Sequence, residues 1–488
     1  MSDLPHVPKE PIRVGGLSDD EQDTLNVLID QLNAKLDRNI LRTAYYDAKR
    51  ALRQMTSVVP PQYNRLGITL GWSSKAVDLL ARRCNLEGFI WPDGDLDSLG
   101  YREVYEGNML GTEVNQGLTE ALIQSTAFVV TTAGAEGEPE SLVQFLDATQ
   151  ATGTWNARAR RLNDFVAITA RDDESRPTAL ALYLDGLVIE CEKDAGWSVV
   201  NRTEHEYGML ADPLPYKPRL RRPFGSSRIT RPVMGIQDQA VRELIRLEGH
   251  MDVYSYPEFW LLGADASVFK NQDGSIKAPW QVMLGRLKAI PDDDSAPEGM
   301  ERASVQKFDA ASPEPHLAGL NAFAKLFARE TSLPDTALAI TDVSNPTSAE
   351  SYDASQYELI AEAEGATGDF TAPLRRAMIR SLAMLNGETE IPDEWRSIDA
   401  KWRNPRFLSR SAEADAGLKQ LQAEPRLSGT EVGLQLLGLT EQQRTRVLSE
   451  WRRQAGSQRL DALIGLAGPE EPESEPEPTE VVPDGLEG

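Results

Sequence analysis

The sequence is short of the residues on which most site chemistry is built. Cys84 and Cys191 are the only cysteines among 488 residues, so there is no disulfide framework and no CxxC pair. Histidine occurs at four places, His6, His205, His250 and His316, without ligand spacing, and there is no HExxH. No GxxxxGK[ST] loop is present to cradle phosphates, and no GxGxxG opens a helix after a strand. Asp292-Asp293-Asp294 stands between Pro291 and Pro297 and reads as a solvated loop rather than a cation site. An enzyme therefore has no residues to stand on, and neither cofactor nor metal is expected. No apolar run approaches the ~20 residues that span a bilayer, so no membrane partner is expected. The opening MSDLPHVPKEP lacks the basic-then-apolar pattern of a secretory signal, which points to intracellular synthesis. Positive charge is also scarce: 51 basic residues face 76 acidic ones, giving −25 and a pI near 4.7. A protein gripping duplex DNA by its phosphates normally shows a basic excess or stripe, and none stands out. A wall past which DNA slides without adhering could be negative instead; the plainer reading is solubility.

What the chain does contain is organised around one long helix pattern. Val233, Ile236, Ala240, Leu244, Leu247 and Met251 recur by threes and fours and form one apolar stripe. Thr230 can cap the start, and Pro232 falls in the first turn, where its missing N–H costs nothing. The other face mixes Asp238, Arg242, Glu243, Arg246, Glu248 and Asp252, while Gly235 and Gly249 interrupt the pattern. Before it, residues 1–16 read as a loose, proline-rich arm. Ser18 to Glu21 is a capping box. Leu25, Leu28, Leu32 and Leu36 mark a helix behind it, and a second helix is expected through Tyr45, Tyr46 and Leu52. Residues 72–86 form another helix, capped at Ser73 or Ser74, and further helices are expected over 98–107 and 113–127.

The period then changes to two. Strands are expected over 128–132, 142–146, 165–169, 179–184 and 187–193, with Asp185-Gly186 as a hairpin turn between the last pair. Cys191 alternates onto the core side and reads as a small buried residue. After the long helix comes a mixed segment, 257–311. A helix then starts at Ser312-Pro313-Glu314 and carries Leu317, Leu320, Phe323 and Phe327 on one face. Helices are expected over about 348–364, 370–386 and within 409–466. From Gly468 the chain is rich in acids and prolines and has no base, a composition that stays disordered.

Six stretches resemble, in order, the portal proteins of tailed bacteriophages, of the type found in siphophages of actinobacteria. They are GWSSKAVDLLARRCNLEGF (71–89), FGSSRITRPVMGIQDQAVRELIRLE (224–248), YPEFWLLGAD (256–265), NPTSAESYDASQYELI (345–360), KWRNPRFLSRSAEADAGLKQL (401–421) and VGLQLLGLTEQQRTRV (432–447). The resemblance implies an α+β, mainly helical portal fold with wing, stem, clip and crown regions, assembled as a dodecameric ring. It divides the chain into a flexible arm (1–16), a wing (17–229, with a β-rich part at 128–210), a first stem helix (230–255) and a clip (256–311). A second stem helix (312–333), a tunnel loop with channel-facing and wing helices (334–400), C-terminal wing and crown helices (401–467) and an acidic tail (468–488) follow. Ile236, Ala240, Leu244, Leu247, Met251, Leu320, Phe323 and Phe327 would pack the stem, and Arg242 and Arg246 would meet acids of the next subunit. Asp342, Ser344, Asn345, Pro346, Thr347, Ser348, Glu350, Ser351 and Asp353 would form the tunnel loop. The implied partners are copies of the chain, double-stranded DNA bound without sequence preference, the terminase large subunit, a head–tail connector, and major capsid and scaffolding proteins. The implied place is one capsid vertex of the virion. A shorter kind of head–tail adaptor or a minor capsid protein is the alternative, and a metal-dependent nuclease is the enzymatic one.

Overall fold

The computed structural model describes residues 5–49, 67–254, 258–262, 273–275, 304–308, 311–338, 355–406 and 410–466. The chain divides into two compact units, Met1–Pro405 and Arg406–Gly488. The arm expected to be loose is docked in its described part. β1 (Val14–Gly15) runs parallel to a strand of the main sheet, Val7 and Val14 are buried, and Gln22 and Asn26 accept the N–H groups of Val14 and Ile12. Two buried valines and matched polar groups hold a segment whose prolines suggested a free tail.

α1 (Asp19–Tyr46) begins with the expected capping box: Ser18 Oγ accepts from Glu21 N–H, and the Glu21 carboxylate accepts from Ser18 N–H at 2.8 Å. It runs unbroken through Tyr45 and Tyr46, where two helices were expected, because Tyr45 is itself buried in the core. α2 (Trp72–Ala81) starts at Gly71 with no side-chain cap; Ser73, expected as a cap, is buried instead. β2 (Leu86–Ile90), α3 (Tyr101–Gly107) and α4 (Leu110–Gln124) lead into the strands.

β3 (Thr126–Ala133), β4 (Ser141–Asp147), β5 (Ala151–Asn156), β6 (Arg161–Arg171), β7 (Pro177–Leu184), β8 (Leu187–Lys193), β9 (Trp197–Glu204) and β10 (Ala211–Pro215) form two sheets. The larger has the order β1-β9-β8-β7-β6-β5 and the smaller β10-β3-β4. The β-rich part thus extends from 126 to 215, beyond the expected 128–210. The central strands β6 and β7 are apolar on both faces, and the alternation assigns each face a partner. Val166, Ile168, Leu180, Leu182, Ile189 and Cys191 pack under Leu25, Leu28, Ile29 and Leu32 of α1. Phe165, Ala167, Ala181 and Tyr183 meet Phe128 and Val130 of the smaller sheet, with the Phe128 and Phe165 rings 5.1 Å apart. Leu184 pairs with Leu187, closing the hairpin over Asp185-Gly186 with Gly186 at φ +81°. Cys191 is fully buried, and burial pushes its thiol up to about 11.

α5 (Arg231–Tyr254) passes through Gly235 without a break. β11 (Glu258–Leu262) pairs antiparallel with β12 (Ser304–Phe308), and α6 (Glu314–Glu330) follows. α7 (Tyr357–Asn386) is one helix where two were expected, with Pro373 inside it. Its buried line, Leu359, Ala363, Ala366, Phe370, Leu374, Ala377 and Met378, keeps helical spacing across Gly365, Gly368 and the proline, and that burial outweighs the local breakers. β13 (Asp399–Trp402) pairs with β2, so residues 401–402, expected in the C-terminal module, complete the main body. The second unit holds α8 (Arg410–Ala423), α9 (Glu431–Leu436) and α10 (Glu441–Leu466). A Cβ at Gly417 would collide with the carbonyl of Leu436, which fixes a glycine where α8 crosses α9.

Candidate functional site

Two long helices and their shared root make up the site. α5 and α6 lie antiparallel, with contacts stepping in opposite directions along the two chains. His250 Nε2 lies 3.0 Å from the carbonyl of Ala311, and His316 Nδ1 lies 2.7 Å from Glu243. Nearer the body, Phe327 and Val233 share one core, where Trp72 meets Phe327 edge-on at 5.4 Å.

The first turns of α5 are fastened by polar residues. Gln237 is buried: its carboxamide oxygen accepts from Ser73 N–H at 3.0 Å and Ser73 Oγ at 2.5 Å, and its nitrogen donates to the carbonyl of Leu70 at 2.8 Å. The Tyr45 hydroxyl donates to Asp238 at 2.9 Å. Val241 and Ile245 make a small cluster with Ile68 and Leu70, and beyond it burial ends.

The buried line of α5 is therefore Val233, Gln237, Ala240, Val241 and Ile245, rotated from the expected stripe. Of that stripe, Ala240 is buried, Ile236, Leu244 and Leu247 are half-buried, and Met251 is 50% exposed. A satisfied glutamine in the core line hid from an apolar count the face that is buried within the chain itself. On α6, Phe327 is fully buried while Leu320 and Phe323 are half-buried. Arg246 is bonded to Glu243 of the same helix at 3.0 Å; Arg242 makes no ion pair among the described residues. The tunnel-loop residues 342–353, Asp292-Asp293-Asp294, most of 256–311 and the acidic tail lie outside the described residues. Among the described residues no His, Cys, Asp or Glu group is arranged to hold a metal ion, and no helix is long and apolar enough to cross a membrane.

The root of both helices is a buried charge cluster. The connector from β10 to α5 turns back at Gly225, whose φ of +71° and close approach to the backbone of Tyr216 exclude a side chain. Ser227 Oγ donates to the carbonyl of Ile123 at 2.5 Å, and Arg228 N–H to that of Leu122 at 2.8 Å. The Arg228 side chain then joins four elements. Its Nε donates to the carbonyl of Ala76 in α2 at 2.7 Å, and its Nη2 to that of Thr331 just past α6. Its Nη1 faces Glu362 of α7 at 2.7 Å and donates to the Tyr216 hydroxyl at 3.2 Å. Glu362 also accepts from Tyr216 and from Lys217 at 2.5 Å. Burial would raise the Glu362 carboxyl, but the Arg228 charge and these hydrogen bonds outweigh it and hold the group at about 2. A second buried cluster sets Asp212 of β10 between Arg376 at 2.6 Å and Arg380 at 2.9 Å, both of α7.

Sequence reasoning missed both clusters, since each joins residues far apart in the chain and charged residues carry no periodic signal. It also missed a basic stretch. Residues 217–231, KPRLRRPFGSSRITR, hold six cations and no acid, a local excess concealed by the overall −25.

The sequence family described as "Phage portal protein, SPP1 Gp6-like" matches residues 25–456, most of the chain. This chain belongs to that family, and its function is that of a phage portal protein, a component of the virion. It is 24% identical over 388 residues to the portal proteins of Mycobacterium phage L5 and Mycobacterium phage D29, a stretch covering 77% of this chain and 77% of each relative. Among solved structures it is similar to a chain of the virion of a native gene transfer agent particle, with a TM-score of 0.38, 15% identity, and 82% of this chain and 98% of that chain covered. A chain from the neck of the empty gene transfer agent particle gives a TM-score of 0.40 at 14% identity, over the same shares.

Proposed function

We propose that twelve copies form a ring at one capsid vertex, through which double-stranded DNA is packaged and later ejected. In this reading α5 and α6 are the stem, 256–311 the clip, 17–229 the wing and 401–467 the C-terminal wing and crown. The ring docks the terminase large subunit during packaging and the head–tail connector afterwards, and it meets major capsid and scaffolding proteins at its rim. The protein contributes the channel and leaves ATP hydrolysis to the terminase. The observation that carries this reading is the apolar line Ile236, Leu244, Leu247 and Met251, which the chain's own α6 and body leave partly open. Neighbouring stems on either flank would cover it. Exposed pairs that Arg242 and Arg246 would make with acids of the next subunit contribute only about 0–1 kcal/mol each, so in a ring they set register more than stability. Negative-stain images of the purified protein decide the matter: closed rings with a central hole are expected, and particles of monomer size would overturn it.

The segment 341–356 is the proposed tunnel loop and start of the following helix. Its sequence, TDVSNPTSAESYDASQ, has three acids and no Lys or Arg. DNA carries about one charge per 1.7 Å of axis, so a few bases per subunit, repeated round a ring, would make an adhesive collar. An acidic loop keeps phosphates off over a screening length of roughly 8–10 Å. Lysines at Ser348 and Ser351 are therefore expected to slow packaging and ejection at low salt, with partial relief at high salt and normal rings. Passage at the parent's rate would remove this loop from the channel.

A further inference from the structure

On a protein of net charge −25, one cleft is lined by cations without any acid. It has a volume of about 600 Å³ and lies between α1, the start of β5 and the connector that leads into α5. Lys35, Arg38 and Arg42 come from one face of α1 at helical spacing, and Arg221, Arg222 and Arg231 come from the connector. Two of the six are fixed within the wall. Lys35 sits over the Phe224 ring, 4.9 Å from its centre, and Arg42 donates to the carbonyl of Gln124 at 3.0 Å. The other four, Arg38, Arg221, Arg222 and Arg231, are exposed and, among the described residues, make no side-chain hydrogen bond or ion pair. Arg219 and Arg222 close a tight backbone turn, Arg222 N–H donating to the Arg219 carbonyl at 2.7 Å, so the connector's arginines stand on an ordered base.

Crowding like charges in a partly buried wall is unfavourable, and it shows in the groups themselves. Burial, then the Arg38 charge, pushes the Lys35 ammonium down to about 8; burial, then Arg38 and Arg222, pushes Arg42 down to about 10. An anion in the cleft would offset both effects. Five of the six cations are arginines, whose planar forks match the oxygens of phosphate two at a time. The chain as a whole is acidic, so an occupant held here is one that gathers its charge within a screening length of roughly 8–10 Å, which a phosphodiester backbone does.

We propose that this cleft is a phosphate-binding site which takes the phosphodiester groups of nucleic acid and holds DNA at one defined place on a protein that is acidic overall. The portal reading supplies only the source of the phosphate. Full-length protein is titrated into a labelled duplex oligonucleotide over a series of salt concentrations. The triple variant Arg38→Gln/Arg221→Gln/Arg222→Gln, which removes no side-chain bond among the described residues, is expected to bind at least roughly tenfold more weakly, with a shallower dependence on salt. Inorganic phosphate at millimolar concentration is expected to displace the duplex from the parent. The charge-matched variant Arg452→Gln/Arg453→Gln/Arg459→Gln, at three exposed arginines elsewhere, is expected to bind as the parent does. Parent-like binding by the triple variant, or an equal loss in the control, overturns the site. Inorganic phosphate binding as tightly as the duplex overturns the nucleic-acid assignment, and so does an acidic peptide of equal charge that displaces DNA more effectively than phosphate. Sedimentation of the same samples reports rings separately, so a failed cleft and a failed portal reading give different results.

Discussion

Glu362→Leu is expected to cost about 3–5 kcal/mol of stability, because it leaves the Arg228 guanidinium buried beside α2, α6 and α7 without its counter-charge. Removing the carboxylate takes away the attraction that offsets the desolvation of the cation, and the cation stays buried. The double variant Arg228→Met/Glu362→Leu removes both charges and is expected to be more stable than the single one, and denaturant unfolding of the two orders them. The same junction sets a dependence on pH. Glu362 titrates at about 2 in the folded chain against an ordinary 4.5, so the folded state holds fewer protons between those values. Its contribution, on the order of 3 kcal/mol, is complete above pH 4.5 and is lost as the pH falls towards 2. The parent should therefore lose stability steeply over that window, and the double variant should lose less. A single variant as stable as the parent would mean that Arg228 reaches water in the folded protein.

The parts of this fold that were legible in the sequence are those where one residue class repeats at one period. The alternation in β6, β7 and β8, the turn at Asp185-Gly186 and the capping box at Ser18 could each be read locally. β9 could not, because its mostly exposed residues lack an apolar alternation and the strand is held by its pairing with β8. Helix ends suffered where tertiary burial overrode local preference. The buried line of α7 carries the helix past two glycines and Pro373, and α1 runs on to Tyr45 and Tyr46, where a second helix was expected. At the candidate site the failure has a different cause. Gln237 occupies a core position because Ser73 and Leu70 satisfy its amide, and Arg228 is buried because Glu362 and two carbonyls meet it. Polar residues at such positions are indistinguishable from surface ones until the chain is folded. The family resemblance was legible for the opposite reason, since it rests on the order of six stretches rather than on any contact.

Leu244→Asp is expected to abolish ring assembly while leaving the chain folded. Leu244 lies on the open apolar line of α5, half-buried within its own chain, so a carboxylate there keeps much of its water in the monomer. Its cost to folding should be on the order of 1 kcal/mol, the size of an ordinary point substitution, because the site is only half-buried. Between neighbouring stems the same carboxylate would be buried without a partner, at a cost of several kcal/mol for each interface. That cost recurs at every contact of a closed ring, so assembly fails even where a single contact would survive. Ile245→Asp supplies the contrast one residue further on. Ile245 is 3% exposed and packs with Val241, Ile68 and Leu70, so an acid there damages the chain itself. Circular dichroism and sedimentation separate the two: Leu244→Asp should give the parent's helical signal and small particles, and Ile245→Asp should lose helical signal as well. Normal rings from Leu244→Asp would take this face of α5 out of the subunit interface.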